Sequence, residues 1–333
     1  MNNLDIVIVT YNRLEKLKKA LRCYSLQTAS FRNLVVVNNC STDGTAEYLE
    51  KWIGEIKESG SSLFTPIIIT TSTNSGGSGG FYLGEKKAME LGADWVFVAD
   101  DDAYAAPDMV ERFYEYIETH DTSKTAAVCA AVHNIDGSVC LYHRDTYATE
   151  KVEFIDFIDC FAKKYVRNHS VLSDYDKESF SVDILSYVGS FLNAQALRKV
   201  GLVNPNYFIY YDDTEHSFRL RKYGNIDVVP AIKITHEGGA ASTKAAGNVI
   251  VDWRSYYLIR NDMHMRLKYL PRTVIQKYWL QLRCTIGAWL HHPEVGVFER
   301  VERTAMWDAF FGRLGEHKLY RPGWKVLKEE ASN

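Results

Sequence analysis

Over residues 1–105 the chain alternates short apolar runs with stretches of helical spacing, and this alternation restricts the possible folds more than any other feature. The runs are Asp5-Ile6-Val7-Ile8-Val9-Thr10, Leu34-Val35-Val36-Val37-Asn38, Pro66-Ile67-Ile68-Ile69-Thr70 and Trp95-Val96-Phe97-Val98-Ala99. Between them Leu14, Leu17, Ala20, Leu21 and Tyr24 recur at helical spacing, as do Ala46, Leu49, Trp52, Ile53 and Ile56, and Phe81 to Leu91 reads as a third helix. Strands that are apolar on both faces and joined by helices form a mostly parallel sheet flanked by helices. Such a sheet offers its ligand sites at the carboxyl ends of the strands. The residues just after each run are therefore the candidates for chemistry.

The length of 333 residues, with 46% hydrophobic and 13% aromatic content, allows a large core in one big domain or a domain with an appendage. Cys23, Cys40, Cys129, Cys140, Cys160 and Cys284 show neither a CxxC pair nor zinc-finger spacing, so they read as reduced thiols of a cytoplasmic protein. The N-terminus lacks a basic segment ahead of a long apolar run and does not read as a signal peptide. No stretch approaches the roughly eighteen apolar residues of a membrane span. Charge is uneven: residues 1–253 carry 25 Lys and Arg against 34 Asp and Glu, whereas residues 254–333 carry 14 against 8. A basic tail suits an anionic surface such as a membrane, and a solvated basic helix accounts for it as well.

Each strand end carries polar groups. The first gives Thr10-Tyr11-Asn12-Arg13, with a guanidinium suited to phosphate or a base edge. The second gives Asn38-Asn39-Cys40-Ser41-Thr42-Asp43-Gly44-Thr45, where helix capping explains Ser41 or Thr42 and Asp43 has the further option of accepting from a ribose or base. The third leads into Asn74-Ser75-Gly76-Gly77-Ser78-Gly79-Gly80-Phe81, a glycine-rich loop that lets backbone N–H groups approach an anion and that a surface loop explains equally. It matches neither a P-loop nor a dinucleotide fingerprint. The fourth ends in Asp100-Asp101-Asp102, three carboxylates whose mutual repulsion is relieved by water or by a cation.

Taken with Tyr187-Val188-Gly189-Ser190-Phe191-Leu192, Tyr210-Tyr211-Asp212-Asp213-Thr214-Glu215-His216 with Arg219, and Thr235-His236-Glu237-Gly238-Gly239, these motifs resemble the family 2 inverting glycosyltransferases of the GT-A fold. The resemblance spans roughly residues 4–262, and its glycine-rich segment and Asp212-Asp213 pair look most like the bacterial galactofuranosyltransferases, with rhamnosyltransferases close behind. It implies a GT-A catalytic domain over residues 1–250, with a nucleotide-sugar half at 1–105 and an acceptor half at 106–250. Residues 251–333 then form a helical, aromatic and basic C-terminal region.

By the same resemblance Asp100, Asp102 and His236 hold Mn²⁺ or Mg²⁺, and Asp101 is the less direct member of the triplet. Thr10, Arg13, Asp43, Asn74, Asp100 and Asp101 line the donor. Asp213 is the base, although Asp212, Asp213 and Glu215 also suit the N-terminus of a helix. Tyr187, Gly189, Ser190 and Asp212 shape the sugar or acceptor pocket. The implied reaction moves a hexose, galactofuranose from its uridine diphosphate donor, to a polysaccharide or lipid-linked glycan. The implied partners are that donor and a glycan or polyprenyl-linked acceptor, and nucleic acid is not among them. In the tail, Arg266, Lys268, Arg272, Lys277 and Arg283 interleave with Tyr278-Trp279-Leu280-Gln281-Leu282, Ile286 and Trp289-Leu290, a pattern for peripheral contact with the inner face of the cell membrane or for a packed bundle or dimer interface. Two other classes remain open at this level: a sugar nucleotidyltransferase, which usually carries its glycine-rich loop after the first strand, and a non-catalytic glycan-binding module.

Overall fold

The computed structural model describes residues 3–58, 60, 63–147, 167–238, 249–269 and 297–327. The four apolar runs form β1 (Leu4–Thr10), β2 (Asn33–Asn38), β3 (Thr65–Thr70) and β4 (Trp95–Asp100). Helices α1 (Leu14–Ser25), α2 (Thr45–Glu58) and α3 (Gly76–Glu90) connect them. The strands lie in the order β3-β2-β1-β4, and all three pairings are parallel. Register aligns Thr10 with Asn38, Asn38 with Thr70, and Val9 with Asp100. Four strand ends thus open on one rim, the place that a parallel sheet reserves for ligands.

The chain continues through β5 (Ala103–Ala105), α4 (Met109–Thr119) and β6 (Thr125–His133). A small antiparallel sheet of β7 (Arg144–Tyr147), β8 (Arg167–His169) and β10 (Ile184–Leu185) stands apart, while β9 (Phe180–Val182) joins the main sheet. Then come β11 (Ser190–Asn193), α5 (Ala194–Val200), α6 (Asp212–Leu220) and β12 (Asn225–His236). β11 inserts antiparallel between β4 and β6, and β12 pairs parallel with β6 and antiparallel with β5 and β9. The result is a mixed, mostly parallel sheet flanked by helices. Side chains of β1 alternate between two cores, Leu4, Ile6 and Ile8 entering one and Val7 and Val9 the other. Both faces of the sheet are therefore covered.

One expectation changes. Residues 76–80 are the first turns of α3 rather than a loop ahead of it. Helix propensity disfavours glycine by about 1 kcal/mol per residue, but packing overrides it here. A Cβ at Gly84 would sit 2.1 Å from Val7 Cγ1, and one at Gly80 would sit 2.5 Å from Val9 Cγ1. Bare backbone lets the helix lie directly on β1.

The C-terminal region is mainly helical, with α7 (Trp253–Tyr269) and α8 (Val297–Phe310) beside a two-stranded ribbon of β13 (Val249–Asp252) and β14 (Lys325–Leu327). Tyr256, Tyr257, Val301, Ala305 and Tyr320 form a third core with Phe208, which lies between α5 and α6. The described part of the tail therefore packs on the body. Among the described residues no helix is long and apolar enough to cross a membrane. Arg272, Lys277, Arg283 and the aromatic run from Tyr278 to Leu290 lie outside the described residues.

Candidate active site

A cavity of about 1030 Å³ opens at the rim. Thr10, Arg13, Asn74 and Asp100 line it from the first half; Tyr187, Asp212, Asp213 and His236 line it from the second. Trp253, Arg254 and Leu258 of α7 complete the wall.

The three aspartates separate by environment. Asp100, the last residue of β4, is half-buried and faces the cavity. Asp101 is fully buried: Thr10 Oγ1 donates to its Oδ2 at 2.7 Å, and Arg13 Nη2 pairs with its Oδ1 at 2.8 Å. Asp102 meets Arg13 Nη1 at 2.8 Å, Lys16 Nζ at 3.1 Å and His236 Nε2 at 3.3 Å. The last contact follows from register, because antiparallel pairing sets His236 opposite Ala103. Asp101 is thus an internal brace, not part of the cavity wall, which corrects its place among the donor-lining residues. Arg13 reaches the cavity while its guanidinium braces the triplet, and Thr10 spends its hydroxyl on Asp101.

Burial pushes the Asp100 carboxyl up to about 6, with the charge of Asp102 adding to it. It also lifts Asp101 to about 7 against the opposing pull of Arg13. Asp102 goes the other way: burial opposes ionisation, but the hydrogen bond from His236 and the charge of Arg13 hold it well below the usual carboxylate range. Asp100, Asp102 and His236 each offer one ligand atom within 4.8 Å of the others. A Cβ on Gly238 would lie 2.5 Å from His236 Nε2 and 3.1 Å from Asp102 Oδ2, so the absent side chain keeps that space clear. Two carboxylate oxygens and an imidazole nitrogen fit a divalent cation of the Mn²⁺ or Mg²⁺ kind.

On the opposite wall Asp212 and Asp213 open α6. Asp212 is buried, and that burial, with the adjacent charge of Asp213, raises it to about 8. Asp213 is half-buried, and its Oδ1 accepts from the Thr214 N–H at 2.6 Å and the Thr214 hydroxyl at 3.1 Å. Its charge is felt at Asp100, so the two walls are electrostatically in touch.

Three further expectations move off the wall. Asp43 is exposed and caps two helices, accepting from Leu14 N–H at 3.0 Å and Thr45 Oγ1 at 2.6 Å. Ser190 is fully buried in β11, its hydroxyl donating to Ser186 O at 2.8 Å. Gly189, at φ +75°, packs on Ile234, and its carbonyl accepts from Ala130 N–H at 2.8 Å and Arg144 Nη2 at 3.0 Å. Asn74 stays on the wall with its amide oxygen engaged by Asn39 Nδ2 and Gly76 N–H.

Sequence reasoning missed Glu85 and His216, which flank the Tyr187 hydroxyl at 2.6 Å and 2.5 Å beneath the cavity. Nothing in local spacing brings α3, the segment before β11 and α6 together. It also missed Trp253 and Arg254, read only as part of an aromatic tail.

Residues 5–176 match the model described as Glycosyl transferase family 2. The chain belongs to glycosyl transferase family 2. Galactofuranosyltransferase GlfT1 of Mycobacterium tuberculosis is 37% identical over 102 residues, a match covering 30% of this chain and 30% of that protein. The dTDP-rhamnosyl transferase RfbF of Shigella flexneri is 24% identical over 275 residues, 81% of this chain and 82% of the relative. Among solved structures, S. aureus TarS 1–349 superposes with a TM-score of 0.53 at 14% identity, covering 94% of this chain and 81% of TarS. Mannosyltransferase PcManGT of Pyrobaculum calidifontis, solved in complex with GDP-Man and Mn²⁺, gives 0.51 at 13% identity over 93% and 86%. The likeness to both structures establishes the GT-A fold of this family 2 chain.

Proposed function

We propose that the chain is a metal-dependent inverting hexosyltransferase that moves galactofuranose from UDP-galactofuranose to a polysaccharide or lipid-linked glycan. The observation that carries this reading is the placement of Asp100 and His236 on the wall of the same cavity as Asp213, with Asp102 beside them. The Asp213 carboxylate takes the proton of an acceptor hydroxyl as that oxygen bonds to the anomeric carbon. The bond from that carbon to the diphosphate oxygen breaks on the opposite face, and the electron pair leaves with the nucleoside diphosphate. Asp100, Asp102 and His236 would hold a divalent ion whose charge stabilises that leaving group. Tyr187 is among the residues that line the cavity, and an aromatic ring there suits the C–H side of a sugar.

The matches to galactofuranosyltransferases support that donor. A second reading, rhamnosyl transfer from dTDP-rhamnose, is favoured by the greater breadth of the RfbF match. The basic surplus after residue 254 suits an enzyme working at the inner face of the membrane on a polyprenyl-linked acceptor. A transfer screen over nucleotide sugars with Mn²⁺ tests the donor, and the expected outcome is preferred turnover of UDP-galactofuranose. Calorimetry with UDP, with and without Mn²⁺, tests the metal, and equal affinity in both conditions would overturn its role.

A further inference from the structure

The backbone that delivers Asp212 and Asp213 is unusual. Phe208, Tyr210 and Tyr211 have φ of 68°, 66° and 62°. Side chains other than glycine reach this left-handed region at a cost of about 1 kcal/mol or more each, so neighbouring structure must hold them there. Segment 207–211 is held from two sides.

From one side α3 supports it. The Ser78 N–H donates to Phe208 O at 3.2 Å, and a Cβ at Gly76 would lie 2.0 Å from that same oxygen. From the other side α7 inserts two buried polar side chains. Asn261 Nδ2 stands 3.0, 2.8 and 2.9 Å from the carbonyl oxygens of Tyr207, Ile209 and Tyr210. Arg260 Nη2 donates to Tyr207 O at 3.0 Å and Nη1 to Gly315 O at 2.6 Å, while its Nε donates to Asn261 Oδ1 at 2.8 Å. Arg260 is 1% exposed and Asn261 not at all. Burying such groups is costly unless every donor is used. Here the acceptors of Asn261 and of Arg260 Nη2 are carbonyls of one irregular segment, and the ring of Phe208 stacks on Tyr257 at 4.9 Å.

We infer that Asn261 and Arg260 are positioning residues for Asp213: the tail helix holds segment 207–211 in its left-handed path and thereby sets where the carboxylate stands in the cavity. This rests on the proposed role of Asp213 as base. The hydrogen bonds of Arg260 and Asn261 go to segment 207–211, to Gly315 and to each other rather than to the metal-ligand set or the donor-facing strand ends, so their loss is felt in turnover rather than in donor binding.

The test uses the full chain with Asn261→Asp, which keeps the shape and replaces the donor with an acceptor, and the milder Asn261→Ser. Turnover is expressed per UDP-binding site counted by calorimetry with Mn²⁺, so a poorly folding fraction drops out. The expected result is a loss of kcat of about 100-fold for Asn261→Asp, since displacement of a reacting group by an ångström has that scale. Donor KM and UDP affinity stay within about twofold, as uniform donor binding is untouched. A purely structural role would lower the number of binding sites and leave kcat per site at the parent value, and that outcome overturns the inference. Asn261→Asp is then combined with Asp213→Asn. If Asn261 acts through the base, it costs less than about twofold in the variant already lacking that base. A full loss in that background places the effect elsewhere and overturns the inference. Failure of the base assignment itself reads differently: Asp213→Asn alone would then keep parental turnover.

Discussion

The two walls of the cavity are built by different means. The donor-facing wall rises from strand ends whose positions follow from sheet register, Thr10, Asn38 and Thr70 standing level and Val9 beside Asp100. The wall that carries Asp213 rests instead on three left-handed residues held by side chains of α7. Register is maintained by many backbone hydrogen bonds at once, whereas the second wall depends on a few buried polar groups. The first is robust to loss of one side chain in its placement, and the second is not. Substitutions on the first wall should therefore remove chemistry without moving neighbours, and those behind the second should move chemistry without removing a reacting group.

The largest expected effect is on the first wall. Asp102→Asn removes a carboxylate from the metal-ligand set and should reduce transfer by about 1000-fold or more. The fold should persist because β4 is held by β1 and β11 on its two sides. Parental activity in that variant would remove Asp102 from the set. Asp213→Asn should lower kcat by about 100- to 10000-fold, the range of general-base contributions. Calorimetry should still detect Mn²⁺-dependent UDP binding there, and loss of that binding would contradict the separation of the two walls.

This contrast also explains what was legible in the sequence. The strands β1 to β4 and the acidic triplet at a strand end follow from apolar periodicity and sequence position, whereas the association of Asp102 with His236 is an expectation of the family resemblance alone. What the sequence hid depends on contacts between distant segments. The glycines of α3 read as a loop because only the presence of Val7 and Val9 against them shows why bare backbone is needed. Asp101 reads as the less direct member of the triplet, but its enclosure by Thr10 and Arg13 depends on contacts some ninety residues apart. Trp253, Arg260 and Asn261 read as tail because nothing local announces that they face a segment some fifty residues earlier.

A third effect tests the bridge between the walls. His216 Nε2 faces Gly201 O at 3.0 Å and burial pulls its pKa down to about 3, so the ring is neutral with its proton on Nε2 and its Nδ1 an acceptor. The Tyr187 hydroxyl has one proton for both Nδ1 and Glu85 Oε1. A protonated Glu85 resolves this by donating to Tyr187, and burial accordingly raises its pKa to about 7. The folded chain then keeps a proton that the unfolded chain releases above about pH 4.5, so this contribution to stability is complete below that pH and declines up to about pH 7. At about 1.4 kcal/mol per unit the loss is on the order of 3 kcal/mol. Glu85→Gln supplies a permanent N–H to Tyr187 and an oxygen to the Val203 N–H that Glu85 Oε2 now accepts. Urea unfolding at several pH values should show that decline in the parent and its absence in the variant. Parallel curves would mean that Glu85 stays ionised.

The smallest expected effect sharpens the account of the donor wall. Asp43 sits at the end of β2 in a motif where a donor ligand was expected, yet its two oxygens are occupied by Leu14 N–H and Thr45 Oγ1 at the starts of α1 and α2. Hydrogen bonding to Thr45 and Leu14 accordingly lowers its pKa, against the burial that opposes the shift. If those caps are its whole function, Asp43→Ala costs about 1 kcal/mol of stability, the usual value of a lost helix cap, and leaves the affinity for UDP unchanged. If Asp43 turns to a ribose or base when the nucleotide arrives, UDP affinity falls as well, by the roughly tenfold that a hydrogen bond to a charged group represents. Thermal unfolding and calorimetry on the one variant separate the cases, because a cap acts on every folded molecule and a ligand contact only on those with nucleotide bound. A tenfold loss of affinity would return Asp43 to the donor wall, and with it one element of that wall that sheet register alone does not place.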